Sequence, residues 1–386
     1  MGTAVGGPRR ASVALRACAL LFASFCAQAS SASVPPVHES KIDGPGLPQV
    51  SWPVVEGNYR VTVQLTGPKG QTVSLLAEQR RLMLENIPLN GEQPVTRSFV
   101  VNVRRSELAA LPANATGGTS VRLKPREVGS PTWDERLSIE VTAPGLLREV
   151  HAQPVILPTL YLAGDSTVTD QAVAPSGSWG QFLTRFLGAG VVVANHAESG
   201  ETLKSFVTEL RFDKLLENLK PGDWVMIQFG HNDQKIQWPQ TYAEAATTYR
   251  YWLRTYLAEI RRRGATPLLV TSPERRNFDS QGHIVPTLGE YPAAVRNVAR
   301  EERVALIDLN PMSVRFYEAL GPEISARAFA DAGRDKTHHN EYGARMLARM
   351  VVEGLRAADP ALTAGLEKHI AADAGHLDPA HPPIPD

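Results

Sequence analysis

Leu160-Tyr161-Leu162-Ala163-Gly164-Asp165-Ser166 decides how the rest of the chain reads: an unbroken apolar run closed by a glycine and two small polar residues. A run this short, without polar alternation and with turn residues behind it, fits a strand buried on both faces. Four further runs of the same kind follow at Val191–Ala194, Trp224–Phe229, Pro267–Thr271 and Val304–Leu309. Helical stretches near Trp179–Phe186, Leu203–Leu219, Thr241–Arg263 and Leu288–Arg303 lie between them, and a last helix is expected from about Glu341. This alternation predicts an α/β fold, a parallel sheet covered on both faces. Ligands bind such sheets beyond the carboxyl ends of the strands, so the residues just after each strand carry the functional information.

Upstream the period changes to two. Tyr59, Val61, Val63 and Leu65 alternate with polar residues, as do Phe99, Val101 and Val103, then Val121 and Leu123, then Leu137, Ile139 and Val141. Gly67-Pro68, Asn90-Gly91 and Gly117-Gly118 mark turns between them. A small antiparallel β-sandwich over residues 53–150 is expected, ahead of an α/β domain at 155–365. Carbohydrate binding is one role open to the sandwich; covering one side of the α/β domain is the other. The Pro-rich end, 371–386, is expected to be disordered.

The N-terminus reads as an export signal: Arg9 and Arg10, an apolar run from Ala17 to Ala27, and the small-x-small site Ala27-Gln28-Ala29, giving a signal at 1–29 and an extended leader at 30–52. The run is well short of the roughly 20 apolar residues that a spanning helix needs, which favours a cleaved signal over an anchor. The paired arginines leave the export route open between the general and twin-arginine pathways. A periplasmic or secreted location follows. Both cysteines, Cys18 and Cys26, lie inside this signal, so disulfides, thiolate nucleophiles and Cys-ligated zinc are excluded from the mature chain. The 386 residues carry 40 basic and 40 acidic side chains, a formal charge of zero that offers no field for nucleic acid or an anionic membrane.

Three post-strand segments and one just before the last helix hold chemistry. Ser166 stands where a nucleophile would stand, although Asp and Ser also favour plain turns. After the second strand comes Asn195-His196-Ala197-Glu198-Ser199-Gly200, whose glycine can offer a bare backbone N–H to a reacting oxygen. After the third comes Gly230-His231-Asn232-Asp233, where the Asn232 amide can donate to the same oxygen. Asp335-Lys336-Thr337-His338 precedes the last helix, and a carboxylate three residues ahead of an imidazole can take its Nδ1–H and leave Nε2 as base. An incidental turn, or a metal site using His338, His339 and a carboxylate, are the competing readings, the metal being disfavoured without a ligand-bearing helix or Asp-rich loop.

Taken together, the order Ser, Gly, Asn, Asp-x-x-His resembles the SGNH, or GDSL-type, hydrolases. Ser178-Trp179-Gly180-Gln181, Asn195-His196-Ala197 and the run from Asp335 to Ala344 are similar to the rhamnogalacturonan acetylesterase branch. The resemblance implies a flavodoxin-like five-stranded parallel sheet and a serine acetylesterase without cofactor or metal, acting on an acetylated polysaccharide or oligosaccharide such as pectin. It implies Ser166 as nucleophile, His338 as base, Asp335 as its orienter, and an oxyanion hole of Ser166, Gly200 and Asn232. One departure stands out: that branch often has Arg after the second glycine, where this chain has Glu201. Trp179, Trp238, Arg275 and Arg276 fall in post-strand segments and are expected to meet a sugar chain. Two alternatives stay open at this point, a lipase, lysophospholipase or thioesterase, and a carbohydrate-binding protein with a spent catalytic domain.

Overall fold

The computed structural model describes residues 1–4, 49–143 and 145–385. Most of the expected export signal and of the leader falls at 5–48, outside the described residues. The described residues from Gln49 onward belong to one compact unit.

Its N-terminal part contains β1 (Gln49–Pro53), β2 (Gly57–Gly67), β3 (Thr72–Ala77), β4 (Arg81–Pro88), β5 (Gly91–Val103), β6 (Arg136–Val141) and β7 (Leu147–Pro154). They form two antiparallel sheets, ordered β1-β6-β3-β4 and β5-β2-β7. The alternation in β2 works as its sequence suggests: Tyr59, Val61, Val63 and Leu65 are buried, and they share one core with Leu75, Val101, Ile139 and Val150 from both sheets. Two expectations fail here. The end of the leader, 49–52, already lies in β1, which pairs with β6. The segment around Val121 and Leu123 lies outside any strand, in a connector of residues 104–135 that turns onto the α/β part at Pro125–Glu127.

The α/β part begins with β8 (Thr159–Gly164), continues through the two-residue β9 (Ser176–Gly177), and adds β10 (Val192–Asn195), β11 (Trp224–Gln228), β12 (Thr266–Val270), β13 (Ala305–Ile307) and the two-residue β14 (His339–Asn340). Five of these make a parallel sheet ordered β10-β8-β11-β12-β13, the flavodoxin-like arrangement. All six residues of β8 are buried, and they divide by parity. Leu160 and Leu162 pack with α1 (Trp179–Phe186) and α7 (Glu341–Ala357) on one face; Tyr161 and Ala163 pack on the other against α2 (Leu203–Thr208), α3 (Arg211–Asn218), α4 (Arg250–Arg262) and α5 (Tyr291–Glu302). The expected helix Leu203–Leu219 is two helices, broken at Leu210 in the left-handed region with φ 61°. A further helix, α6 (Leu309–Ile324), follows β13 and kinks at Gly321, whose φ of 72° is non-helical.

The C-terminal segment departs from the expected disorder. Ala371 N–H donates to the Phe186 carbonyl at 2.9 Å, Leu377 N–H donates to Glu353 Oε1 at 3.1 Å, and Ala374 and Leu377 are buried. The apolar side chains set among its prolines are enough to hold it against α1 and α7.

Candidate active site

At the end of β8 the chain turns at once. The Asp165 carbonyl accepts the N–H groups of Val168 and Thr169, both at 3.0 Å, and its carboxylate Oδ1 accepts Thr167 N–H at 3.0 Å and Thr167 Oγ1–H at 2.9 Å. Space is short here: a Cβ at Gly164 would stand 2.9 Å from the Gln228 carbonyl, so glycine lets the turn begin inside the sheet. Beneath the turn runs a directed chain of hydrogen bonds. Trp179 Nε1–H donates to Gln228 Oε1 at 2.7 Å, and Gln228 Nε2–H donates to Thr167 Oγ1 at 2.7 Å, which itself donates to Asp165.

On this turn Ser166 Oγ lies 2.9 Å from Nε2 of His338. The other ring nitrogen, Nδ1, lies 2.7 Å from Asp335 Oδ2, and Asp335 Oδ1 accepts the N–H groups of Thr337 at 2.7 Å and His338 at 2.8 Å. Partial burial alone would raise the Asp335 carboxyl, but the bonds from His338 and the two backbone N–H groups hold it well below the usual carboxylate range. A carboxylate on Nδ1 fixes the tautomer that leaves Nε2 facing the hydroxyl. β14 pairs with β9, and Glu341 N–H donates to the Pro175 carbonyl at 2.9 Å, so the segment after His338 is tied to the segment after Ser166.

The strand order sets the flanks of Ser166, because β10 and β11 are the two neighbours of β8. Gly200, beyond β10, has φ +85°, a conformation that favours glycine. Among the described residues neither its N–H nor that of Ser166 meets an acceptor. Asn232, beyond β11, donates one amide hydrogen to the Glu201 carbonyl at 3.0 Å, while its Oδ1 accepts Lys235 Nζ at 2.8 Å. These bonds join the Gly200 and Asn232 loops and leave a second amide hydrogen on Asn232.

The four expected sugar contacts separate. Trp179 is the first residue of α1 and fully buried, with its N–H spent on Gln228, so it belongs to the core; a sequence places it after a strand but not on which side of the helix it falls. Arg276 reaches the carbonyls of Pro322 and Gly333 and takes its own N–H to the Lys336 carbonyl, bracing the turn that carries Asp335. Arg275 is half-buried and donates to Thr287 Oγ1 at 3.1 Å and the His231 carbonyl at 3.3 Å. Trp238 is 41% exposed, with Lys235 Nζ 3.9 Å from its ring centroid.

Other buried groups escaped the sequence reading. Nδ1 of His231 lies 3.4 Å from Asp165 Oδ2 and its Nε2 3.0 Å from the Pro273 carbonyl. Burial pushes Asp165 upward, yet facing His231 and the Thr167 donors bring its carboxyl below the ordinary value. Asp233 is pushed up to about 7 by burial. His339 Nε2 lies 2.8 Å from the Tyr317 hydroxyl, and burial brings its imidazole down to about 3. Among the described residues no group of three His, Cys, Asp or Glu side chains is arranged to ligate a metal.

Residues 162–346 match the GDSL-like lipase/acylhydrolase family. The chain is 41% identical over 209 residues to rhamnogalacturonan acetylesterase RhgT of Bacillus subtilis, an overlap of 51% of this chain and 88% of that protein. The chain belongs to the GDSL-like lipase/acylhydrolase family. It is 36% identical to the probable rhamnogalacturonan acetylesterase YesY of the same organism, covering 54% of this chain and 97% of the relative. Among solved structures, protein YxiM of Bacillus subtilis superposes with a TM-score of 0.50 at 25% identity, covering 80% of each chain, a share that reaches into the N-terminal β-sheets. As a member of this family the chain is a serine carboxylic ester hydrolase with the fold of the SGNH hydrolases.

Proposed function

We propose that the protein is a carbohydrate acetylesterase that removes acetyl groups from a plant-type polysaccharide such as rhamnogalacturonan, outside the cytoplasm. The observation that carries the chemistry is the relay Asp335–His338–Ser166, with hydrogen-bond distances of 2.7 and 2.9 Å at its two links. Ser166 Oγ attacks the acetyl carbonyl while its proton passes to His338 Nε2, and Asp335 stabilises the imidazolium. The N–H groups of Ser166 and Gly200 and the free amide hydrogen of Asn232 receive the developing oxyanion. Collapse of the tetrahedral intermediate breaks the ester bond, the sugar oxygen leaves with the proton from His338, and the acetyl group stays on Ser166. Water then attacks with His338 as base, and acetate leaves.

The two acetylesterase relatives support the acyl group and the substrate class. Trp238, half open to solvent beyond β11, is the remaining aromatic platform for a sugar ring. Ser166→Ala abolishing acetate release from acetylated pectins, xylans and other glycans, together with preference for acetyl over long-acyl nitrophenyl esters, is the expected result. Near-normal esterase activity in Ser166→Ala would refute the mechanism, and preference for long acyl chains would move the substrate to lipids.

A further inference from the structure

The connector between β5 and β6 meets the α/β part at a turn, Lys124–Glu127, held by one carboxylate. Glu127 accepts Lys124 N–H at 2.8 Å, Trp133 Nε1–H at 2.8 Å and the Arg211 guanidinium at 2.9 and 2.5 Å. Arg211 is fully buried at the start of α3, so this turn is anchored against the α/β part.

From the turn two cations reach the loop after β10. Lys124 Nζ donates to the Ser199 carbonyl at 2.6 Å, and Arg126 Nη2 donates to the same oxygen at 2.7 Å. Each is also paired with a carboxylate of that loop, Lys124 with Glu201 and Arg126 with Glu198, the latter through Nε at 2.7 Å. Glu201 is itself wholly buried, and its Oε2 accepts Ser205 Oγ–H at 2.7 Å. The oxygen that takes both cations belongs to the Ser199–Gly200 peptide, whose other end is the Gly200 N–H.

We propose that Lys124 and Arg126, contributed by the N-terminal β-region, are positioning residues that fix and polarise the Ser199–Gly200 peptide so that its N–H stabilises the oxyanion more strongly. The inference rests on the oxyanion role proposed above for Gly200. A cation at an amide oxygen draws electron density from the nitrogen, and hydrogen bonds in series strengthen one another. A donor locked in place before the reaction needs no reorganisation as charge develops. The same arrangement accounts for Glu201 standing where the resembling branch often has Arg: a guanidinium there would repel Lys124 and Arg126, whereas the carboxylate holds Lys124 in place.

The test uses the full chain with Lys124→Met and Arg126→Met, singly and together, beside Lys124→Arg and Arg126→Lys. Two readouts are taken: kinetics on an acetyl nitrophenyl ester, and affinity for a small boronic acid, which forms an anionic tetrahedral adduct on a reactive serine. In the double Met variant kcat is expected to fall on the order of 10-fold, short of the roughly 10²–10³ that follows outright loss of a donor. KM should stay within about twofold, and boronate affinity should fall in step with kcat/KM. The conservative variants should recover most of the loss. Arg126→Met alone, at a side chain 57% exposed, keeps the proposal testable should the Lys124 variants fail to fold, with about a threefold fall in kcat expected. An unchanged kcat in that variant and in the folded double variant, a loss confined to KM, or no recovery with the conservative variants overturns the proposal. Ser166→Ala measured alongside keeps the two readings apart: an inactive Ser166→Ala with wild-type-like cation variants sinks this inference alone, whereas an active Ser166→Ala sinks the hydrolytic reading beneath it.

Discussion

Replacing Trp179 with Phe separates a core role from a sugar-binding one. The side chain is fully buried and its only polar atom donates to Gln228. Phe keeps most of the ring but removes that donor, leaving Gln228 Oε1 without it, at a cost of about 1–3 kcal/mol. The smaller ring also leaves a void of roughly 40 Å³, worth about 1 kcal/mol more at the usual price of cavity volume. A loss of about 2–4 kcal/mol is expected, read as a lower urea midpoint at unchanged slope. Because the broken bond begins the chain that runs through Gln228 and Thr167 to Asp165, kcat should also fall modestly as the turn under Ser166 loosens. KM for an acetylated oligosaccharide should stay within about twofold. Unchanged stability with a clearly raised KM would refute the reasoning and return Trp179 to the substrate.

Asp335→Asn should fold, since a side-chain oxygen can still cap Thr337 and His338, yet lose about 10⁴ in kcat because the imidazole is no longer held in the productive tautomer; activity within tenfold of wild type would contradict this. Burial pushes the Glu78 carboxyl up to about 8, against the pull of Arg81 and the Ser138 N–H. The folded chain therefore holds a proton that the unfolded chain has already released, so stability falls as pH rises from about 4.5 to 8, and Glu78→Gln should flatten that slope in denaturation at several pH values. An unaltered slope would show that other groups set it. Leu377→Ala should destabilise by about 2–3 kcal/mol in chemical denaturation, where a disordered tail would show no change.

The α/β layer was legible because its strands are continuous apolar runs, and Ser166 lies directly after one of them, where such sheets present ligand-binding groups. Asp335 and His338 were singled out instead by their three-residue spacing ahead of the last helix, and their meeting with Ser166 at 2.7 and 2.9 Å is geometry the sequence only implies. What stayed hidden depends on contacts between distant segments. Leu210 is a good helix former, yet it adopts φ 61° where Gly118 approaches it closely and Arg122 N–H takes the Glu209 carbonyl at 2.9 Å. The same connector carries Lys124 and Arg126, whose partners lie more than 70 positions away and leave no periodic trace. The helix from Leu309 was masked by Pro311, which its first turn tolerates, and by Gly321-Pro322, where the chain does kink, Gly321 having φ 72°. Proline content likewise disguised the C-terminal segment, whose order rests on a few buried apolar side chains.

Ser166 and His338 stand 172 positions apart. On the proposed mechanism, a chain that stops, misfolds or is cut anywhere before the 335–338 turn keeps its serine but has no base to activate it, however well the central strands have formed. Ester cleavage would then report on the whole α/β layer, because the proposed relay exists only when the end of β8 and the 335–338 turn have found each other.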